Sequence, residues 1–350
     1  MYIRTGFVSG GKMDAQKDTL VSGIQPSGTL HIGNYVGAIR NWARLQDTYE
    51  SFFFIADLHA ITAPYKPETM PDRIMEMAVG LLAAGVDPDK SALFVQSQVP
   101  QHVFLAWLFN TVTPMGDLFR MTQYKDKSNK IGGAIKLGLF AYPVLQAADI
   151  ALYGGSVVPV GEDQLQHVEL SREVVRRFNR AFGPTFPEPK ALLSTAPRIM
   201  GMDGKSKMSK SLNNYVGLLD DSKAIWDKLR PAVTDPARVR RTDPGDPEKC
   251  NIYTMHKAFS PPDIQKEVAV GCKQGSIGCV DCKRTLLKHV NAGLAPIRER
   301  AEYFNSRPDE VRDILACGRK KAGARAEATM DKVVHKMGLY LPENKTGEGL

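Results

Sequence analysis

The feature that most narrows the fold of this chain is the alternation of strand and helix signals along its first half, since strands separated by helices favour a parallel sheet with helices on both faces. Leu20–Ile24 reads as a strand and Gln25-Pro26-Ser27-Gly28-Thr29 as the turn after it, and the stretch from His31 to Ile39 opens a helix. Phe52–Ala56 is the next strand and ends in Asp57-Leu58-His59-Ala60. Pro71–Ala84 is an amphipathic helix with proline near its start and Gly85 just past its end, the asymmetry helices favour. Ser91–Gln96 is a third strand, and His102–Leu152 is mostly helical but broken by the glycine- and lysine-rich stretch 125–138. Val157–Val160 is a strand leading into a helix that reaches Arg177, and Leu192-Leu193 a short last strand. The expectation is an α/β fold with a doubly wound, Rossmann-like parallel sheet over residues 19–224 and a mostly helical insertion at about 102–152. A helical C-terminal domain follows over 225–350, and a loose extension precedes the sheet over 1–18.

Charge is unevenly placed. Of a net +8, most sits in residues 283–325, where eleven Lys/Arg stand against five Asp/Glu. Such a segment suits a polyanionic partner or an ordinary solvated helical face. Residues 1–18 lack the apolar centre of a targeting signal, and no apolar run approaches the length of a membrane span. A cytoplasmic protein with no membrane partner is expected, and five cysteines there argue for ligand or incidental thiols over a disulfide framework.

Two stretches carry chemistry. Lys207-Met208-Ser209-Lys210-Ser211 follows the Gly/Ser-rich Gly201-Met202-Asp203-Gly204-Lys205-Ser206. Its two lysines make a cationic clamp for a polyphosphate, or else a solvated surface turn. His31-Ile32-Gly33-Asn34 opens a helix at a strand end, where free amides and the positive dipole end can seat phosphate. Gly33 lets a flat adenine or ribose approach the backbone, and His31 and Asn34 can donate to oxygens, the plainer alternative being that His31 caps the helix.

With Gly23-Ile24-Gln25-Pro26-Ser27-Gly28 before the second stretch, these residues resemble the two signatures of class I aminoacyl-tRNA synthetases. Tyr142–Ile150 and Val158–Gln164 resemble the tryptophan-charging branch in particular, with Asn34 where the wider family has a second histidine. The resemblance runs from about Leu20 to Leu339. It implies a homodimer that uses ATP and Mg2+ to activate L-tryptophan as tryptophanyl-adenylate and then transfers it to the 3′ end of tRNA(Trp). A tyrosine-charging relative and a catalytically silent RNA-binding module are the competing readings.

By that resemblance His31 and Asn34 stabilise the α-phosphate and Lys207 and Lys210 the departing pyrophosphate. Lys125 and Lys127 resemble a further pair of phosphate lysines, or a solvated hairpin. Gln25, Pro26, Ser27, Gly33, Gly161, Glu162, Asp163, Ile199, Met208, Ser209 and Ser211 fall to the ATP site. An indole offers one N–H donor and so needs one fixed acceptor, for which Asp149, on a helix among Ala147, Ala148 and Ile150, is the choice over a paired structural aspartate. Val21, Gln25, His59, Tyr142, Gln146 and Val160 are the implied walls.

Cys250, Cys272, Cys279 and Cys282 have 21, 6 and 2 residues between them, with glycines at 271, 275 and 278. The set suits a 4Fe–4S cluster and resembles an iron-sulfur subset of the tryptophan enzymes; zinc or plain buried thiols are the alternatives. Its place beside the basic segment implies a structural role toward the anticodon arm. Arg298, Arg300, Arg319, Lys320, Lys321 and Arg325 are the expected phosphate contacts, which would make tRNA affinity fall with salt.

Overall fold

The computed structural model describes residues 17–122, 136–194, 197, 199–210 and 212–339. Five strands form one parallel sheet: β1 (Thr19–Ile24), β2 (Glu50–Ile55), β3 (Ser91–Val95), β4 (Val157–Val160) and β5 (Lys190–Leu193), in the order β3-β2-β1-β4-β5. From β1 the chain moves outward through β2 to β3, then returns to the other side of β1 for β4 and β5. That reversal beside β1 opens a crevice at the carboxyl ends of the strands.

Side chains along a strand point alternately to opposite faces, and here each set enters a different core. Leu20, Phe53, Ile55, Leu93 and Val95 share one, whereas Val21, Phe52, Phe54, Ala92 and Phe94 share the other. Each buried phenylalanine contributes roughly 1.5–3 kcal/mol. The first core is covered by α1 and by α2 (Met70–Ala83), and α1 runs unbroken through Ile32–Asn34, a π-helical turn Tyr35–Ile39, and Arg40–Leu45. Past Ile39 it is held to the sheet by Trp42, which stacks on Phe53, ring centroids 4.8 Å apart. The second core is covered by α3 (Gln101–Asn110), α4 (Leu137–Ala151) and α5 (Leu165–Phe182). α5 extends past Arg177 because Phe178 packs against Phe109 and Phe186, and it stops before Gly183, whose φ of +87° a side chain would oppose.

Beyond the sheet come α6 (Ser222–Leu229), α7 (Asn251–Phe259), α8 (Pro262–Lys273), α9 (Cys279–Asn305) and α10 (Pro308–Lys336). The last two return to the sheet. Leu286, Val290 and Leu294 of α9 join the first core, and Ala322, Ala326 and Met330 of α10 the second, so both cores run across residue 225. Gly318, Ala322 and Ala326 recur every fourth residue and bring α10 directly onto β3, where a β-carbon at 318 would collide with the Leu93 backbone.

Candidate active site

A cavity of about 460 Å³ lies in the crevice, and Val21, Gln25, Ser27, His59, Tyr142, Gln146, Asp149 and Val160 are among its walls. A second cavity of about 440 Å³ adjoins it. Asn34, Gly161, Asp163 and Lys207 face both, and His31, Gly33, Glu162, Ile199 and Met208 face the second. Pro26 is buried and walls neither, while Ser209 turns its N–H to Asn214 Oδ1 at 2.7 Å. Lys125, Lys127 and Ser211 lie outside the described residues.

At the start of α1 two side chains cap each other's backbone: His31 Nδ1 accepts the Asn34 N–H, and Asn34 Oδ1 accepts the His31 N–H, both at 3.2 Å. His31 therefore does cap the helix. With Nδ1 accepting, the neutral ring carries its proton on Nε2, which remains a donor, as does the Asn34 amide. The Ile32 N–H is taken by Val216 O at 3.0 Å, so fewer helix amides are free than a bare helix start would offer. Gly33 is hemmed by the His31 ring and Met208, leaving it less open to a flat ligand than its lack of a side chain implies.

Burial first, then the charges of Lys207 and Lys210, lower the His31 pKa to about 4. The two motifs, some 170 residues apart in sequence, thus stand within electrostatic reach. Burial also lowers His256, in α7, to about 4. Unfolded histidine takes up its proton near pH 6.5, so the unfolded chain binds more protons than the folded one between about pH 6.5 and 4. Stability is expected to fall through that window on acidification, by about 2 kcal/mol for each of these histidines at pH 5. Thermal unfolding at pH 7 and pH 5 checks this, and replacing either histidine should shrink the difference.

The lysine loop is folded on polar staples. Asp203 Oδ1 accepts the Lys205 and Ser206 N–H groups at 3.1 Å each, and its Oδ2 accepts Asn214 Nδ2 at 2.9 Å. Gly201 N–H reaches Ser206 O at 2.8 Å, and Gly204 supplies φ +66°. Lys210 turns its ammonium onto Gly28, where φ is +102° and a β-carbon would occupy the place of Nζ. Burial lowers the Lys210 pKa, with Glu76 opposing and Arg73 assisting.

Asp149 is 1% exposed and yet ionised. Its Oδ1 accepts from Gln96 Nε2 at 2.7 Å and His102 Nδ1 at 2.6 Å, and its Oδ2 from His59 Nε2 at 2.6 Å. The ionised Asp149 carboxylate can only accept, which puts the His102 proton on Nδ1 and leaves Nε2 of the neutral ring to accept from Tyr153 OH at 2.6 Å. Burial pushes the carboxyl pKa up, but the His59 charge and the hydrogen bonds from His102 and His59 outweigh it and hold the value at about 2. Two donors fill Oδ1 and one occupies Oδ2, so Oδ2 keeps one lone pair for a further donor. Tyr142, raised to about 12 by burial, bonds His167 Nε2 at 2.9 Å and walls both this cavity and an apolar groove outside. That groove runs past Leu58, Val103 and Leu145 to Trp107, which is 67% exposed.

The cysteines gather without closing. Burial, then the charges of Cys250, Cys279 and Cys272, push Cys282 up to about 12. Lys283 beside it gives its ammonium to Arg230 O and Ala232 O, at 2.8 and 2.6 Å. Among the described residues no group of three or more His, Cys, Asp or Glu is placed to hold a metal ion. The expected iron-sulfur or zinc centre therefore has no support in the placement of these side chains; burial and the repulsion between neighbouring thiolates favour the protonated form unless a cation offsets them.

Of the six basic residues expected to meet phosphate, four bind within the chain. Arg298 donates to Asp220 O, Arg300 to Ala83 O, Lys321 to Pro88 O, and Arg325 pairs with Glu50 at 2.7 Å. Arg319 and Lys320 are exposed.

A family described as tRNA synthetases class I (W and Y) matches residues 13–295. The tryptophan–tRNA ligase of Deinococcus radiodurans is 52% identical over 322 residues, covering 91% of this chain and 97% of that protein. The Thermotoga maritima tryptophan–tRNA ligase is 44% identical over 328 residues, covering 91% and 99%. Among solved structures, the Campylobacter jejuni tryptophanyl-tRNA synthetase complexed with ADP and tryptophan aligns with TM-score 0.82 at 38% identity, over 92% of this chain and all of that one.

Proposed function

The chain belongs to the class I tRNA synthetases for tryptophan and tyrosine, and we propose how its two joined cavities divide the work of a tryptophan–tRNA ligase. Tryptophan enters the Asp149 cavity and gives its indole N–H to the open lone pair of Oδ2, with His59, Tyr142 and Gln146 around the ring. ATP lies along the second cavity, its α-phosphate facing His31 Nε2 and the Asn34 amide. A tryptophan carboxylate oxygen attacks the α-phosphorus, the bond to the bridging oxygen breaks, and pyrophosphate leaves toward Lys207 and Lys210. Because donors and cations stand in place beforehand, they act on charge as it develops. Glu162 and Asp163, at the second cavity, would hold a magnesium ion carried in on ATP, and that ion would supply further neutralisation of phosphate charge. The terminal ribose hydroxyl of tRNA then attacks the adenylate carbonyl, and AMP leaves.

The observation that carries this reading is that Lys207 and Asn34 wall both cavities while His31, which Asn34 caps, lines the second. Tryptophan-dependent exchange of pyrophosphate into ATP tests it. Exchange driven by tyrosine would select the tyrosine-charging relative instead, and none with either would remove the catalytic reading.

Three finer points belong to the same proposal. The protein pairs through the apolar groove lined by Val103, Trp107 and Leu145 and bordering Tyr142, with exposed Leu137 beside it; sedimentation at a single chain's mass would refute this. tRNA meets Arg319 and Lys320 in the cytoplasm, the arginines bound within the chain being left out. A 4Fe–4S cluster, or zinc, is what a set of four cysteines would suit, and no step above depends on it. Iron with acid-labile sulfide, zinc, or neither in the purified protein separates the possibilities.

A further inference from the structure

The lysine loop is anchored from outside the sheet. Asn251, the first residue of α7, places its side chain on the backbone of two loop residues: Oδ1 accepts the Met200 N–H, and Nδ2 donates to Met200 O and Gly201 O, each at 3.0 Å. Met200 is the antiparallel bridge partner of Lys207. What Asn251 grips is therefore the backbone directly opposite the lysine that walls both cavities. On its other side Asn251 follows Cys250, buried in the same core as Ile199, Met202 and Met208, and α7 packs on α9, the helix that opens with Cys279.

We propose that Asn251 is a positioning residue for Lys207, fixing the lysine loop against the cysteine-bearing segment so that this segment, as well as the sheet, sets where the cation meets the nucleotide. The proposal rests on the reading of Lys207 as a phosphate-binding group. An amide can accept from an N–H and donate to carbonyls at the same time, which the geometry at Met200 requires. A flexible four-carbon stem does not fix its own ammonium, so placement has to come from the backbone that carries it.

Pyrophosphate exchange with wild type, Asn251→Ala, Asn251→Asp, Lys207→Ala and the Asn251→Ala/Lys207→Ala double variant tests this. Asn251→Ala is expected to lower kcat/KM for ATP about tenfold or more while the KM for tryptophan stays within about twofold. Asn251→Asp should lose as much, because its carboxylate opposes Met200 O and Gly201 O, and it carries the test should the alanine variant not fold. In the double variant the Asn251→Ala loss should vanish into that of Lys207→Ala. Unchanged ATP kinetics, losses that multiply, or a parallel rise in the tryptophan KM would each overturn the role. A wild-type chain with no tryptophan-dependent exchange would overturn the functional reading instead.

Discussion

A Lys210→Ala chain is expected to form tryptophanyl-adenylate about 10²–10³-fold more slowly in a single turnover, with its KM for tryptophan little changed. The ammonium rests on Gly28 at the turn after β1, partly removed from water, as its lowered pKa reflects. A cation in such a setting acts on a leaving pyrophosphate more strongly than one in bulk solvent. Gly28→Ala should produce much of the same defect from the other side of the contact, since a β-carbon would displace Nζ and φ +102° disfavours any side chain. An undiminished single-turnover rate for Lys210→Ala would take Lys210 out of the phosphate site.

Asp149 separates recognition from folding. Asp149→Ala leaves Gln96, His102 and His59 as buried donors without their acceptor, and is expected to destabilise the fold by about 3–5 kcal/mol. Asp149→Asn is milder for the fold: its amide oxygen can keep the Gln96 and His102 bonds, while its N–H2 faces a His59 that can switch tautomer and accept. The open lone pair of Oδ2 is then gone, so the KM for tryptophan should rise roughly 10- to 100-fold. Denaturant unfolding of both variants beside tryptophan-dependent exchange of the second checks the pair. Unaltered tryptophan affinity in Asp149→Asn would place the indole nitrogen elsewhere.

What could be read from the sequence follows local periodicity. Each strand shows as a short apolar run closed by a turn residue, and the helices of the sheet region by their spacing and their glycine ends, as at Gly85 with φ +107°. The end of α5 does not, because Phe178 and Phe182 lie beyond an arginine pair that looks like a helix end, and only the packing of Phe178 on Phe109 and Phe186, and of Phe182 on Phe178, explains them. Asp149 stands out as an acid among alanines. Its partners do not, since Gln96 and His102 lie 53 and 47 residues away and nothing local joins them. Asn214 and Asn251, which hold the lysine loop, are hidden for the same reason. Charge counting at α9 and α10 does not separate a solvated arginine from one such as Arg300, whose partner is a carbonyl 217 residues earlier. Cysteine spacing likewise records loop lengths and leaves open whether the sulfurs converge.

The seating of α10 on β3 bears on how the protein is made. β3 ends the sheet on its side, and its outer backbone is met by a helix that begins at Pro308, more than two hundred residues later. During synthesis the nucleotide-binding strands emerge early and then wait, one margin bare, until that distant helix leaves the ribosome. A nascent chain stalled before Pro308 carries an open strand able to pair with a neighbour's, so chaperone demand should be greatest late in translation.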